Sequence, residues 1–276
     1  MIIYRKEVEF LMNMGHFLGI SPEITEYAIH SDKIPKGFDG FRIAHISDTH
    51  SNPANGIFEL IEKSGPDVIC ISGDMFHDDD SDSCGFWSLF DNLLTLAPIY
   101  LVTGNHDLWR ANSADFLRRI TDLGGILLNS KMEIIERNGE KIALFGIGDP
   151  FSKIPKLIEE SVNSAFLSLP QFDGYKILLF HRANLFDKIK NFGFDLILSG
   201  HMHGGQIRVP FFGGVLAPTS SILSQRMIFP DYTSGKYEYG ASSMIVNRGA
   251  SNTLHLPRFA NPPEVGIITL FHKNKA

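Results

Sequence analysis

The stretch Phe41–His50, FRIAHISDTH, sets the architecture. Phe41–Asp48, FRIAHISD, reads as a strand that runs into Asp48-Thr49-His50. The same shape recurs downstream. Asp67–Asp74, DVICISGD, predicts a second strand ending in Gly73-Asp74, and Ile99–Thr103 a third running into Gly104-Asn105-His106-Asp107. Helical spacing separates them: Gly56–Ser64 with Ile57, Leu60 and Ile61 on one face, Phe86–Leu96, and Ser113–Leu123 with Ser113 as N-cap. Strands alternating with helices predict βαβ units.

Asn138-Gly139, between Met132–Arg137 and Lys141–Gly146, predicts a hairpin with a type I′ turn. A helix is expected near Pro155–Ser168. Strands are expected at Tyr175–Phe180, running into His181, and Asp195–Ser199, running into Gly200-His201-Met202-His203. Ser243–Val246 and Val265–Phe271 are strand-like, and Gly204–Gly240 reads as loop with short strands. No repeat, low-complexity tract or linker interrupts the chain, so one domain over residues 1–276 with two sheets is expected.

Composition excludes several classes. A net charge of -6 argues against a dedicated nucleic-acid binder, which needs Lys and Arg to neutralise phosphates. A hydrophobic fraction of 43% with 20% charged residues is that of a globular protein rather than a disordered one. Cys70 and Cys84 cannot form a disulfide framework and fit a reducing compartment. No segment approaches the roughly 20 apolar residues that cross a bilayer. The best, Phe10–Ile20, is broken by Asn13, Gly15 and His16, and lacks a small-residue cleavage site. Residues 1–22 are expected to hold a short amphipathic helix, packed on the body or lying on a membrane surface. The expected location is cytoplasmic, with peripheral membrane contact through that helix as the alternative.

Five predicted strand ends thus deliver Asp, Asn and His to one edge, where sheets of this kind bind ligands. Residues i and i+2 of an extended segment point the same way, so Asp48 and His50 are expected to grip one ion together. His201 and His203 are expected to share an ion or to take one each. Glycines precede Asp74, Asn105 and His201 and permit close backbone approach. The set suits two divalent metals: Asp48, His50, Asp74 and His203 for one, and Asp74, Asn105, His181 and His201 for the other, with Asp74 bridging. Mixed imidazole and carboxylate donors suit Mn, Fe, Co or Zn better than Mg or Ca. Two such ions, two aspartates and a bridging hydroxide leave the centre positive, which favours an anionic substrate such as phosphate. His106 follows Asn105 and is the candidate general acid, with Asp107 fixing its tautomer or raising its pKa.

The ordered set Asp48/His50, Gly73/Asp74, Gly104 to Asp107, His181 and Gly200 to His203 resembles the calcineurin-like metallophosphoesterase superfamily. The segment HGGQIR at 203–208, LPRF at 256–259 and Pro262-Pro263-Glu264 resemble a bacterial branch of it. That branch includes membrane-associated phosphodiesterases and hydrolases acting on UDP-diacylglucosamine. The resemblance covers nearly all of the chain after about Glu23. It implies an α/β (α+β) metallophosphatase fold: a four-layer αββα sandwich of two mixed sheets flanked by helices. It also implies hydrolysis of phosphodiester or nucleotide-linked pyrophosphate bonds by a metal-bridging hydroxide, with manganese a common activator and no covalent intermediate. The expected partner is a small-molecule or lipid-linked phosphoester rather than nucleic acid. Rival readings are a phosphomonoesterase, a phosphoprotein phosphatase, a nuclease and a non-catalytic scaffold. Retention of His106, His181, His201 and His203 counts against the last.

Other residues carry secondary expectations. Arg182 and Arg208 are candidates to clamp phosphate, with Arg248 and Arg258 ranked behind them. His77 is a candidate for the substrate mouth, and Asp78–Asp82 reads as a solvated acidic loop. His45 reads as a buried structural histidine and Cys70 as core. Phe211-Phe212, Ile222-Leu223 and Met227–Phe229 form either an apolar rim for acyl chains or packing beneath a long loop.

Overall fold

The computed structural model describes residues 21–52, 54–77, 83–150, 154–209, 211–216, 228–251 and 258–274. The helix expected over Phe10–Ile20, the acidic run Asp78–Asp82, and Ile222, Leu223 and Met227 lie outside the described residues.

The first sheet contains β1 (Glu23–Ser31), β2 (Phe41–Ile46), β3 (Val68–Ile71), β4 (Ile99–Leu101), β5 (Ile126–Leu127) and β14 (Glu264–His272), in the order β1-β14-β2-β3-β4-β5. The second contains β6 (Lys131–Arg137), β7 (Glu140–Ile147), β8 (Lys176–Arg182), β9 (Leu196–Gly200), β12 (Gly235–Tyr239) and β13 (Ser242–Val246), in the order β12-β13-β9-β8-β7-β6. Both are mixed. β2, β3 and β4 run parallel beside antiparallel β14, and β7, β8, β9 and β13 run parallel between antiparallel β6 and β12. The helices are α1 (Ile57–Ser64), α2 (Cys84–Leu93), α3 (Asn105–Trp109), α4 (Ser113–Asp122), α5 (Pro155–Ser168) and α6 (Phe186–Ile189). A small ribbon pairs β10 (Arg208–Val209) with β11 (Gly213–Gly214).

Period-two alternation builds the layers. Ile43, Cys70 and Tyr100 of one sheet meet Leu144, Ile177, Leu179 and Leu198 of the other in a shared core. Their neighbours Ala44, Ile46, Ile69 and Ile71 face outward beneath Ile57 and Ile61 of α1 and Phe86 and Phe90 of α2. On the other side Phe145, Leu178, Phe180 and Ile197 lie beneath Ile158, Val162 and Phe166 of α5. The result is the expected αββα sandwich. Strands buried on both faces read as continuous apolar runs such as Val-Ile-Cys-Ile in β3. Each fully buried Ile, Leu or Phe contributes roughly 1.5–3 kcal/mol. Among the described residues no helix is long and apolar enough to cross a membrane.

The local readings hold with shifts at the ends. Asn138 and Gly139 both take positive φ, 55° and 79°, as a type I′ turn requires. α2 begins two residues before the predicted Phe86 and ends at Leu93 rather than Leu96: beyond Leu93 the bonding tightens to i−3 turns, the Thr95 and Leu96 amides donating to the Asn92 and Leu93 carbonyls at 3.1 and 3.0 Å. Asn112, not Ser113, occupies the N-cap position of α4. β1 is absent from the sequence reading. It is a partly exposed edge strand carrying Glu23, Glu26 and His30, so its apolar alternation is weak, and its parallel pairing with β14 defines it.

His45 is fully buried on β2, and its Nε2 meets Ser72 Oγ at 2.8 Å. Burial lowers its pKa to about 4 from an unfolded value near 6.5. A depressed histidine contributes stability that is present above the unfolded value and lost as pH falls through the folded one. The urea midpoint of the metal-free protein should therefore fall between pH 6.5 and about 4. His45→Gln should remove one proton from that slope, up to about 1.4 kcal/mol per pH unit. An unchanged slope in the variant would contradict the assignment.

Candidate metal centre

The strands of both sheets stop at one end, and the backbone there departs from extended geometry. φ is 54° at Asp48, 45° at His50, 51° at Asp74, 73° at His201 and 48° at His203. These are left-handed conformations, unfavourable by roughly 1–2 kcal/mol each for residues with a Cβ, and strain of this kind gathers at functional sites. This corrects the alternation expectation. Asp48 and His50 do converge, but through a left-handed loop beyond β2, not through strand pleating. That loop is zipped to the next: the Asp48, His50 and Ser51 amides donate to the Gly73, Asp74 and Met75 carbonyls at 3.0, 3.1 and 2.9 Å.

Glycine makes the convergence sterically feasible. A Cβ on Gly104 would overlap the backbone N and Oδ1 of Asp74, and one on Gly200 would overlap Ser47 Oγ and lie 2.5 Å from Asp48 Oδ2. The remaining bonds hold the carboxylates. The His106 amide donates to Asp74 Oδ1 at 2.8 Å, and the His201 amide donates to Asp48 Oδ2 at 3.1 Å.

Two clusters result. In the first, Asp48 Oδ1 lies 3.9 Å from His50 Nε2 and 3.5 Å from His203 Nε2, and the two imidazole nitrogens are 3.3 Å apart. In the second, Asp74 Oδ2 lies 3.1 Å from His181 Nε2, which is 3.3 Å from His201 Nδ1. A bulge in the β8–β9 ladder between Leu179 and Arg182 re-aims His181, and Ser72 O holds its Nδ1 at 2.8 Å. With Nδ1 donating there, Nε2 is the ring nitrogen that faces the cluster. Asn105 is fully buried beside Asp74, and its two amide atoms, like Asp48 Oδ1, find no hydrogen-bond partner among the described residues. Orphaned buried oxygens beside converging imidazoles are what a divalent cation satisfies. His201 and His203 separate, one to each cluster.

The electrostatics fit cation binding. Burial lowers His50 and His203 to about 3 and His201 well below its ordinary value, so all three are neutral. Burial also acts to lower His181, but the charge and hydrogen bond of Asp74 more than offset it and raise it to about 10. Burial would raise Asp74, and His181 holds it well below the carboxylate range instead. A cation held by Asp74, His181 and His201 would take the place of that proton.

The other candidates fall differently. His106 is half-buried, its ring centroid 5.1 Å from that of His50 and 4.9 Å from that of His77. Asp107 does not orient it. Its oxygens accept the Phe76 and Gly104 amides at 2.9 and 2.8 Å, tying the Asp74 loop to the Asn105 loop. Burial and the nearby Asp74 charge push Asp107 up to about 7. His77 is buried, 5.5 Å from His50 between ring centroids, and forms part of the same wall. Arg182 is also buried and is engaged by Asp149, with Nη2 donating to Oδ1 at 3.0 Å, so it is not presented to substrate as expected. Arg208 donates to Ser234 Oγ and to Gly204 O at 3.2 Å, lining a cleft of about 400 Å³ with Phe212, Phe229 and Tyr232. Phe211, Phe212, Ile228 and Phe229 are exposed, so in the described part of the rim the packing alternative fails. Sequence reasoning missed Asn261, whose Nδ2 donates to His203 O at 2.7 Å and Gln206 O at 3.2 Å and so shapes the last ligand loop. Its only signal was its place before Pro262-Pro263.

Imidazoles and carboxylates gathered into adjoining clusters at strand ends make a candidate metal centre, and the comparisons give the class of protein that carries it. Residues 41–205 match the calcineurin-like phosphoesterase family, and the chain belongs to it. It is therefore a metal-dependent phosphoester hydrolase of a dimetal-dependent family. It is 31% identical to the uncharacterized metallophosphoesterase YkuE of Bacillus subtilis, over 91% of this chain and 86% of that protein. It is 26% identical to the phosphodiesterase YaeI of Escherichia coli, over 83% of this chain and 82% of that one. A transmembrane protein with metallophosphoesterase domain from Danio rerio is 26% identical over 82% of this chain, which spans 55% of its length. Among solved structures, TT1561 of Thermus thermophilus shares the fold, with a TM-score of 0.51 at 16% identity over 77% of this chain and 91% of that one.

Proposed function

We propose that the chain hydrolyses phosphodiester or nucleotide-linked pyrophosphate bonds. One ion would be held by Asp48, His50, Asp74 and His203, and the other by Asp74, Asn105, His181 and His201. The observation that carries this is the pair of triads Asp48/His50/His203 and Asp74/His181/His201, each with its ligand atoms within 4.8 Å of one another. When bound, the ions act as Lewis acids that activate solvent and neutralise phosphate oxygens. The chain supplies the rest. Only Asp48 and Asp74 among the seven ligands carry negative charge, so the centre keeps a positive excess for an anionic substrate. Asn105 preserves that excess as a neutral donor. His106, half-exposed over His50, holds an imidazole N–H for the leaving oxygen.

The donor set favours Mn, Fe, Co or Zn. A diester preference is supported by the relative named a phosphodiesterase. The exposed Phe211, Phe212, Ile228 and Phe229 support a lipid-linked phosphoester, met at a membrane surface, as the substrate class.

Reconstitution with Mn²⁺ and metal analysis should return two ions per chain. Bis-p-nitrophenyl phosphate should then be hydrolysed faster than p-nitrophenyl phosphate, with UDP-linked lipids, cyclic nucleotides and single-stranded DNA compared alongside. Faster monoester turnover would overturn the bond assignment, and fewer than two ions would overturn the centre. His106→Ala should leave metal content intact and slow substrates with poor leaving groups about 10²–10⁴-fold, with a smaller loss on nitrophenyl esters. Equal losses on both would remove its acid role.

A further inference from the structure

We infer that Arg258 is a positioning residue of the metal centre: a buried, fixed positive charge behind the Asp48/His50/His203 cluster that weakens cation binding there and strengthens attraction for the anionic substrate. Arg258 is 3% exposed. Its Nε donates to Ser251 O at 2.9 Å, while Nη1 and Nη2 are buried with no hydrogen-bond partner among the described residues. The other buried arginines are engaged: Arg110 by Asn112 Oδ1 and His77 O, Arg182 by Asp149, and Arg248 by Glu264 and Glu23. A buried guanidinium held, among the described residues, by a single backbone carbonyl is costly, so its position calls for a reason.

The position is against the ligand loop. Ser251, which accepts from Arg258 Nε, donates through Oγ to the Asp48 carbonyl at 3.2 Å. Gly249, with φ of 90°, keeps the space between them open: a Cβ there would lie 2.7 Å from Arg258 Nη2 and 3.0 Å from Asp48 Cβ. Asp48 is the strongest carboxylate influence on Arg258, and the Arg258 charge reaches His203, adding to the burial that keeps that imidazole neutral. Burial lowers Arg258 to about 10, which leaves it charged at neutral pH. A fixed positive charge at this range in a poorly screened interior repels a divalent cation and attracts phosphate. The inference deepens the proposed reaction and rests on Asp48, His50 and His203 being metal ligands.

The test compares R258Q and R258M, which remove the charge, with R258K, which keeps it. Mn²⁺ affinity is measured by chelator competition, and inorganic phosphate binding is measured on the Mn²⁺-loaded protein. The neutral variants should hold Mn²⁺ about tenfold more tightly and phosphate about tenfold more weakly, with R258K within about twofold of the parent on both. Looser Mn²⁺ binding in the neutral variants would indicate a merely structural role and overturn the inference. So would failure of both neutral variants to fold. Loss of phosphate binding with Mn²⁺ affinity unchanged would indicate a direct phosphate contact and also overturn it. A parent chain that binds no Mn²⁺ would instead defeat the metal-centre reading.

Discussion

Asp74→Asn should empty the centre and cut phosphoester hydrolysis on the order of a thousandfold, well beyond the 10–100-fold typical of losing an outer hydrogen bond to a ligand. Asp74 spans the whole assembly. Its Oδ1 accepts the His106 amide at 2.8 Å, and its Oδ2 lies 3.1 Å from His181 Nε2. Its charge also acts on His50, His201 and His203. The amide is isosteric and still accepts the His106 amide, so the fold should survive while the charge that offsets two divalent ions is lost. Metal analysis after Mn²⁺ reconstitution checks this directly. An independent readout exists in the metal-free protein. Without the Asp74 carboxylate only burial and weaker charges act on His181, so its pKa should drop steeply from about 10, a shift readable by NMR titration. Full metal occupancy with retained turnover, or an unmoved His181, would contradict the role given to Asp74.

Gly104→Ala should be nearly as damaging although it removes no functional group. The added methyl would overlap Asp74 Oδ1 and backbone N and lie 2.7 Å from Asp74 Cγ. The backbone N cannot turn aside and Oδ1 is held by the His106 amide, so the Asn105 loop and the Asp74 loop must separate. Overpacking of this kind typically costs about 1–3 kcal/mol, and the upper part of that range is expected here. Metal binding should fall with it, because the displaced atoms carry the second cluster. Gly40→Ala is the control. Gly40 has a φ of 77° and nothing within 4 Å of an added Cβ, so only backbone strain of about 1 kcal/mol should appear, with metal content unchanged. Equal metal occupancy in the two variants would show that the close approach at Gly104 is dispensable.

The donor residues were legible because each sits within a few positions of a strand end, and strand ends are a local signal. Asp48, Asp74, Asn105, His181 and His201 could be found without knowing any contact between them. The Asn138-Gly139 hairpin was legible for the same reason, since two adjacent residues needing positive φ define the turn. Readings that relied on regular geometry or on residue type alone fared less well. Pleating explains neither the meeting of Asp48 with His50 nor the parting of His201 from His203, because their backbones are left-handed. Arg182 and Arg258 look alike as sequence. One is neutralised by Asp149, 33 residues away, and the other has two nitrogens with no hydrogen-bond partner among the described residues.

Which side chains could serve as ligands, and that strands would carry them to one edge, follows from the order of residues alone, since hydrophobic alternation and Gly-Asp, Gly-Asn and Gly-His junctions are written within short windows. Which atoms face one another was decided only when the two sheets packed. Asn261 reaching across 58 positions to His203, and the Asp48 loop bonding to the Gly73 loop, are contacts between segments with no local relation. Burial at those contacts then holds His50 and His203 neutral, while His181 keeps Asp74 well below the carboxylate range. Desolvation depends on what surrounds a group in space, which short sequence windows do not encode.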